Sequence, residues 1–552
     1  MYFQPRLLAL VLLLSSFVAA QPLIVLGPVR TADEARPRAN ALLVRDGLVT
    51  SLSREDAEAA ATEPGARVMN VPAGGLVMPG IVESHAHVVA LGRASRELDL
   101  SGTRSLADAL KLIRERAATL PAGATLEGRG WNQELWTEKR YPTAAELEAA
   151  TGVRPARLSR VDGHAVWVNQ TVLNGAGIDL HTANPEGGEI LRDPEGRPTG
   201  ILVDNATALA DKALPREARS LSADFLAAER LCFEQGITTL VDAGESIHNL
   251  NILGALYAAG KAELRIASMV SVDSAEDLEL VLQRSPTLGL YGGRVNVGMV
   301  KLYADGALGS RGAWLLQDYS DRAGHRGFPV QQPKFLRQAL TALMGRGWQV
   351  CVHCIGDRAV RETLDAMEIA LHTLDPAARS AARPRIEHAQ HIDPQDQKRF
   401  RELGVIASMQ PCHATSDGPW AVDRLGRERM ASGAYVWRTL LKSGAMFVAG
   451  TDAPVEPLSP WRNLTSAVTR RMADGTALTP GQCLSRGEAL LAFTAHGAHA
   501  ARFEKTTGML RPGLAADYIV LDRDPFTAPA EEITATRVLT TVLAGRVVFE
   551  RR

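Results

Sequence analysis

The chain has 552 residues, 46% of them hydrophobic and 22% charged, with a formal net charge of −1. That composition excludes an intrinsically disordered chain, and the charge balance excludes the basic bias of a nucleic-acid-binding domain. The length suffices for a large core with a satellite domain.

The chain begins MYFQPRLLALVLLLSSFVAA, with one positive charge at Arg6, an apolar run from Leu7 to Val18 and small residues after it. The run is shorter than the ~20 residues a bilayer span needs, and Val18 and Ala20 occupy the positions before a cleavage site. Residues 1–20 read as a secretory signal peptide, which predicts a secreted or periplasmic protein. The alternative is a protein held at the membrane by an uncleaved leader. No later segment reads as a membrane span, so none is expected in the mature form. From residue 21 to about 75, short β-type runs such as PLIVLG and ALLVRDGLVTSLS dominate, and the tail from about 505 reads the same way in GLAADYIVLD and VLTTVLAGRVVFE. RDGLV and LAGRVVFE each place a glycine turn before a strand. One small β-sandwich built from 21–75 and 505–552 is expected.

Between these ends, apolar β-branched runs alternate with amphipathic stretches. The runs are GIVESHAH, GITTLVDAG, LRIASMVSV, RVNVGMVKLYADG, WQVCVHCIGD, RIEHAQHI, GVIASMQPCHA and AMFVAGTDAPV. The stretches include 222–235, 333–346 and 358–372. Strand and helix in alternation imply βαβ units and parallel pairing. Eight such units over 76–504 predict an α/β fold of the (β/α)8 TIM-like barrel type, which typically takes about 250 residues. Part of the surplus length lies in one insertion after the first strand, about 93–214, containing GWNQELW and RVDGHAVWVN. The five cysteines, Cys232, Cys351, Cys354, Cys412 and Cys483, are odd in number and irregularly spaced, so buried thiols are expected rather than a disulfide framework.

Active sites of such barrels lie at the C-terminal ends of the strands. Ligand-type residues recur there: His85 and His87 at strand one, Lys301 then Asp305 at strand four, His353 at strand five, His388 at strand six, His413 after strand seven and Asp452 at strand eight. His85 and His87, at i and i+2 on a strand, point to one face and can converge on a transition metal. From the insertion, His164 and Trp131 are candidates to contact substrate at the barrel mouth, with Trp136 beside them, and Asp305 and His413 are candidates from the barrel itself. No HExxH, G-x-S-x-G or phosphate-binding loop occurs.

With GGLVMPGIVESHAH, RGWNQELW, RVDGHAVWVNQTVL, VKLYADGALGSR, VHCIGDRAV, RIEHAQH, SMQPCHATSD and AGTDAPVEPLSPW in this order, the chain resembles the amidohydrolase superfamily. Within it the chain looks like amidohydrolase family 3, the group of N-substituted formamide deformylase-like proteins. One departure is Glu83, where relatives often carry aspartate; that position is not a ligand in the usual scheme.

The resemblance implies a two-metal centre. His85, His87 and Asp452 would hold one divalent ion and His353 and His388 the second. Lys301 would bridge them as an N-carboxylated lysine, a carbamate derived from carbon dioxide. Zinc fits these nitrogen and oxygen ligands. A hydroxide shared by the ions would attack a carbonyl carbon, with Asp452 moving the proton to the leaving nitrogen. The expected reaction is hydrolysis of a C–N bond in a small amide-like substrate: N-formyl, N-acyl or cyclic amide. Two alternatives stay open: deamination or cyclic-amide opening at a single metal, and a non-catalytic binding protein on the same scaffold. Oligomeric state, including a homo-oligomer, is left open.

Overall fold

A computed structural model describes residues 21–121, 123–214 and 221–552. The leader expected at residues 1–20 lies outside the described residues. Among the described residues, no helix is long and apolar enough to cross a membrane.

Eight parallel strands form the core of the molecule in chain order: Ile81–Ala86, Ile237–Glu245, Arg265–Ser271, Val295–Tyr303, Gln349–Cys354, Arg385–His388, Ile406–Met409 and Phe447–Ala449. Each coincides with one of the apolar runs, because a strand buried on both faces reads as a continuous hydrophobic stretch. The helical stretches fold as Leu221–Glu234, Pro333–Gly345 and Asp357–His372. The strands make a nearly closed (β/α)8 barrel.

The eighth strand meets the first through backbone bonds just beyond its end. The Asp452 amide donates to the His85 carbonyl at 2.7 Å, and the His87 amide donates to the Ala453 carbonyl at 2.8 Å. Glu83 staples the same seam: its carboxylate accepts from the amides of Thr451 at 2.7 Å and His85 at 3.2 Å and from the Thr451 hydroxyl at 3.0 Å. Gly450 allows this approach, since a Cβ there would lie 2.6 Å from the His85 nitrogen.

Strands from both ends of the chain form one eight-stranded sheet, in which Leu76–Pro79 pairs antiparallel with Tyr518–Leu521. Its core includes Val25, Val44, Val77, Tyr518, Val520 and Val542. Two hairpins turn on Asp46–Gly47 and Ala544–Gly545, all four with positive φ, as a two-residue type I′ turn requires. The tips touch, and a Cβ on Gly47 would sit 2.7 Å from the Ala544 carbonyl oxygen. This sheet abuts the N-terminal end of the barrel. Arg265, the first residue of the third barrel strand, donates to Asp517 at 2.7 Å, with both side chains buried.

Between the first two barrel strands lies a six-stranded sheet, in the order Gly188–Arg192, Pro198–Asp204, Ala165–Val168, Ala156–Arg160, Leu126–Trp131, Leu98–Asp99. It has its own core of Leu126, Leu158, Trp131, Trp136 and Trp167. All five cysteines are free thiols, four of them buried.

Candidate metal centre

The C-terminal rim of the barrel gathers side chains from strands one, four, five, six and eight around a cavity of about 780 Å³. His85 ends the first strand, fully buried. Its Nδ1 lies 2.6 Å from Glu387 Oε2, which turns Nε2 toward the cavity. Nε2 lies 3.5 Å from Asp452 Oδ1, and His87 Nε2 lies 3.4 Å from the same oxygen. His388 Nδ1 is 3.9 Å from Asp452 Oδ2 and 3.0 Å from Gln410 Oε1. The rings of His353 and His388 are 4.5 Å apart. His388 and Asp452 both adopt positive φ, 71° and 59°. Non-glycine residues take that conformation at a cost of order 1–3 kcal/mol, and such strain clusters at functional sites.

Donor atoms aimed at one space without partners mark a site for a cation. His85 Nε2, His353 Nε2, His413 Nε2 and Asp452 Oδ1 are buried with no hydrogen-bond partner. One ligand atom each from His85, His388 and Asp452 lies within 4.8 Å of the others. His388 joins that triple, and His87, grouped with His85 and Asp452 in the sequence reading, reaches Asp452 Oδ1 at 3.4 Å. This donor set fits a metal ion.

The electrostatics agree with that fit. Burial, with Lys301 nearby, pushes His85 down to about 4 despite Glu387, and burial holds His353 and His388 well below the usual imidazole range. Neutral imidazoles offer lone pairs, the form a metal binds. Burial works against ionisation of Asp452, but the contacts from His87, His85 and His388 outweigh it and hold its carboxyl well below the usual range. Burial lowers the Lys301 amine from its ordinary value. Its Nζ lies 4.9 Å from the Tyr303 ring centre, and among the described residues it forms no ion pair.

His164 and His413 also line the cavity. His164 Nδ1 lies 2.6 Å from Asp204 Oδ1, and its ring is 4.8 Å from that of His353. His413 Nε2 is 3.8 Å from Asp452 Oδ2. Two expected substrate contacts lie elsewhere. Trp131 is fully buried in the inserted sheet's core, packed 6.2 Å from Trp136 and 6.4 Å from Trp167, with its indole N–H donating to the Leu158 carbonyl. Large aromatic area favours a core position over a polar cavity wall. Asp305 is consumed by backbone: its carboxylate accepts from the amides of Ile355, Gly356 and Trp314 at 2.8–2.9 Å. It ties loops together beneath the site, and its Oδ1 lies 3.8 Å from His353 Nε2, close enough to orient that candidate ligand.

Sequence reading missed Glu387 and Arg385. Arg385 donates to both oxygens of Glu387, at 2.7 and 2.9 Å, and also to the Ser84 carbonyl and the Ser408 hydroxyl. Burial opposes ionisation of Glu387, yet Arg385 and His85 hold it far below the usual range. The signal was present in RIEH, where an arginine and a glutamate sit at i and i+2 in an otherwise buried strand. The cavity-facing residues of the insertion were also missed. In Leu126–Trp131 and Ala156–Arg160, buried residues alternate with half-buried Glu127, Arg129, Arg157 and Ser159, which face the cavity.

The sequence model of the amidohydrolase family matches residues 73–549. YtcJ of Bacillus subtilis (strain 168), which carries an amidohydrolase name, is 32% identical, with 95% of this chain and 98% of that protein covered. The N-substituted formamide deformylase of Arthrobacter pascens is 26% identical over 96% of this chain and 98% of its own. A crystal structure of an uncharacterized metal-dependent hydrolase from Pyrococcus horikoshii OT3 superposes with a TM-score of 0.73 at 26% identity, covering 92% of this chain and 99% of that one.

Proposed function

This chain belongs to the amidohydrolase family, and from that premise we propose that it is a metal-dependent hydrolase that cleaves the C–N bond of an amide-like substrate. The observation that carries the reading is the convergence of unpartnered, buried imidazole and carboxylate atoms at one barrel rim. His85, His87, His388 and Asp452, with His353 alongside, would hold the ion or ions; zinc suits such ligands. Bound there, a divalent ion lowers the pKa of water from about 15.7 toward 7 and polarises a carbonyl oxygen. Lys301, buried and without an ion pair, has the amine that a carbamate bridge requires.

Asp452 faces the reacting space with an unpartnered Oδ1. It takes a proton from the attacking water as the C–O bond forms and returns it to the nitrogen as the C–N bond breaks, giving an acid and an amine. The N-substituted formamide deformylase among the relatives makes N-formyl amides the first substrates to assay. Asp452→Asn, reconstituted until its metal content matches wild type, is expected to lower kcat about 10³-fold, within the range for general acid–base groups. Retained turnover at normal metal loading would remove the role.

A single-ion reading, with deamination or cyclic-amide opening, draws on one observation: the tight triple is His85, His388 and Asp452, with His353 outside it. Metal stoichiometry by elemental analysis separates one ion from two.

A further inference from the structure

The inserted sheet places Arg129 in the cavity wall, where among the described residues no carboxylate closes an ion pair with it. Its strands Leu126–Trp131 and Ala156–Arg160 run parallel, with Glu127 beside Arg157 and Arg129 beside Ser159. Arg157 is answered by Asp211 at 3.3 Å. Arg129 is half-buried, faces the cavity and donates to the carbonyl of Pro454, two residues after Asp452. Among the described residues it forms no ion pair. On its other side Asp99 is exposed, and its Oδ1 accepts from the Ser101 amide at 2.9 Å. Asp99, its cross-strand neighbour, and then Glu97, Asp452 and Glu456 attract Arg129 without closing an ion pair.

A guanidinium withdrawn from water is costly unless an anion meets it. Its five N–H donors form a planar fork that matches a carboxylate, and the Pro454 carbonyl occupies part of that fork. The open direction is the cavity, where Asp452 and the imidazoles lie. We propose that Arg129 is a specificity-determining residue that binds a carboxylate of the substrate, so that the enzyme acts on amides bearing a carboxylate near the scissile bond. This rests on the hydrolase reading above and narrows its substrate class.

The test has two arms. In the first, metal-loaded wild type, Arg129→Met and Arg129→Lys are assayed on N-formyl and N-acyl amino acids and on the matching neutral amino-acid amides. Wild type is expected to favour the carboxylates. Arg129→Met is expected to lose about 10²-fold in kcat/KM on them, chiefly through KM, with little change on the neutral amides. Arg129→Lys is expected to restore part of the loss. In the second arm, calorimetry measures binding of succinate and of neutral succinamide. Arg129→Met should weaken succinate at least tenfold and leave succinamide unchanged.

Succinate binding that is indifferent to Arg129, or equal losses on charged and neutral substrates without rescue by lysine, would overturn the proposal while C–N hydrolysis stands. Arg129-dependent succinate binding with no amide turned over would overturn the reaction and leave the carboxylate site intact.

Discussion

The candidate metal rim depends on one glutamate that does not itself line the cavity. Glu387 holds the Nδ1 side of His85 and is itself gripped by Arg385, so the imidazole keeps the tautomer that leaves Nε2 a lone pair. Glu387→Gln preserves the shape but loses the charge. It is expected to weaken metal affinity 10–100-fold, as outer partners of ligating histidines do, measured by competition with a calibrated chelator. Lys301 gives a second test at this scale. If its amine is carboxylated, Lys301→Ala should lose nearly all turnover and recover part of it with added acetate or propionate, which supply the missing carboxylate. Native mass spectrometry of the unmodified protein should show one added carbon dioxide. Absence of both effects would leave Lys301 an ordinary lysine.

Two elements govern whether these side chains meet. The seam between the first and eighth strands is tight at Gly450, where a methyl group would press on the His85 nitrogen and on Glu83. Gly450→Ala is expected to cost about 1–3 kcal/mol as an overpacked contact and to lower metal occupancy, read from denaturant midpoints and elemental analysis. At the opposite end, Arg265 and Asp517 bind the terminal sheet to the barrel. Asp517→Ala leaves a buried arginine unpaired and is expected to cost about 3–5 kcal/mol, with kcat of the folded fraction unchanged because the site lies at the other rim. A large loss of kcat with normal metal content would show that the two ends communicate.

For the whole molecule, the buried imidazoles make stability depend on pH. His85 is pushed down to about 4, and His353 and His388 are also lowered, whereas in the unfolded chain they titrate near 6.5. At these three sites the unfolded state binds more protons than the folded state below about 6.5, and their contribution to stability falls as pH falls. Glu83 and Asp305, pushed up to about 8 by burial, act in the opposite sense between about 4.5 and 8, as do Asp417, Asp242, Asp204, Glu229 and Glu245, also raised by burial. Below about pH 4 the raised carboxylates are protonated in both states and add no further slope, while Asp452 and Glu387, lowered in the fold, lose their stabilisation, so the urea midpoint of the metal-free protein is expected to fall as pH drops below about 4. A midpoint that rises as pH drops below about 4 would contradict this assignment.

The sequence alone determined the barrel, because strands buried on both faces must be continuous apolar runs, and ligand-type residues at their ends stand out against that background. His85, His353, His388 and Asp452 were legible for this reason. Tertiary structure decided what spacing cannot carry. Trp131 went into a core and Asp305 to three backbone amides; Glu387 came to stand behind His85 from 302 positions away, and Arg129 reached the loop of Asp452. Such pairings depend on where distant strands lie side by side, and side-chain partners across that distance leave no local period in the chain.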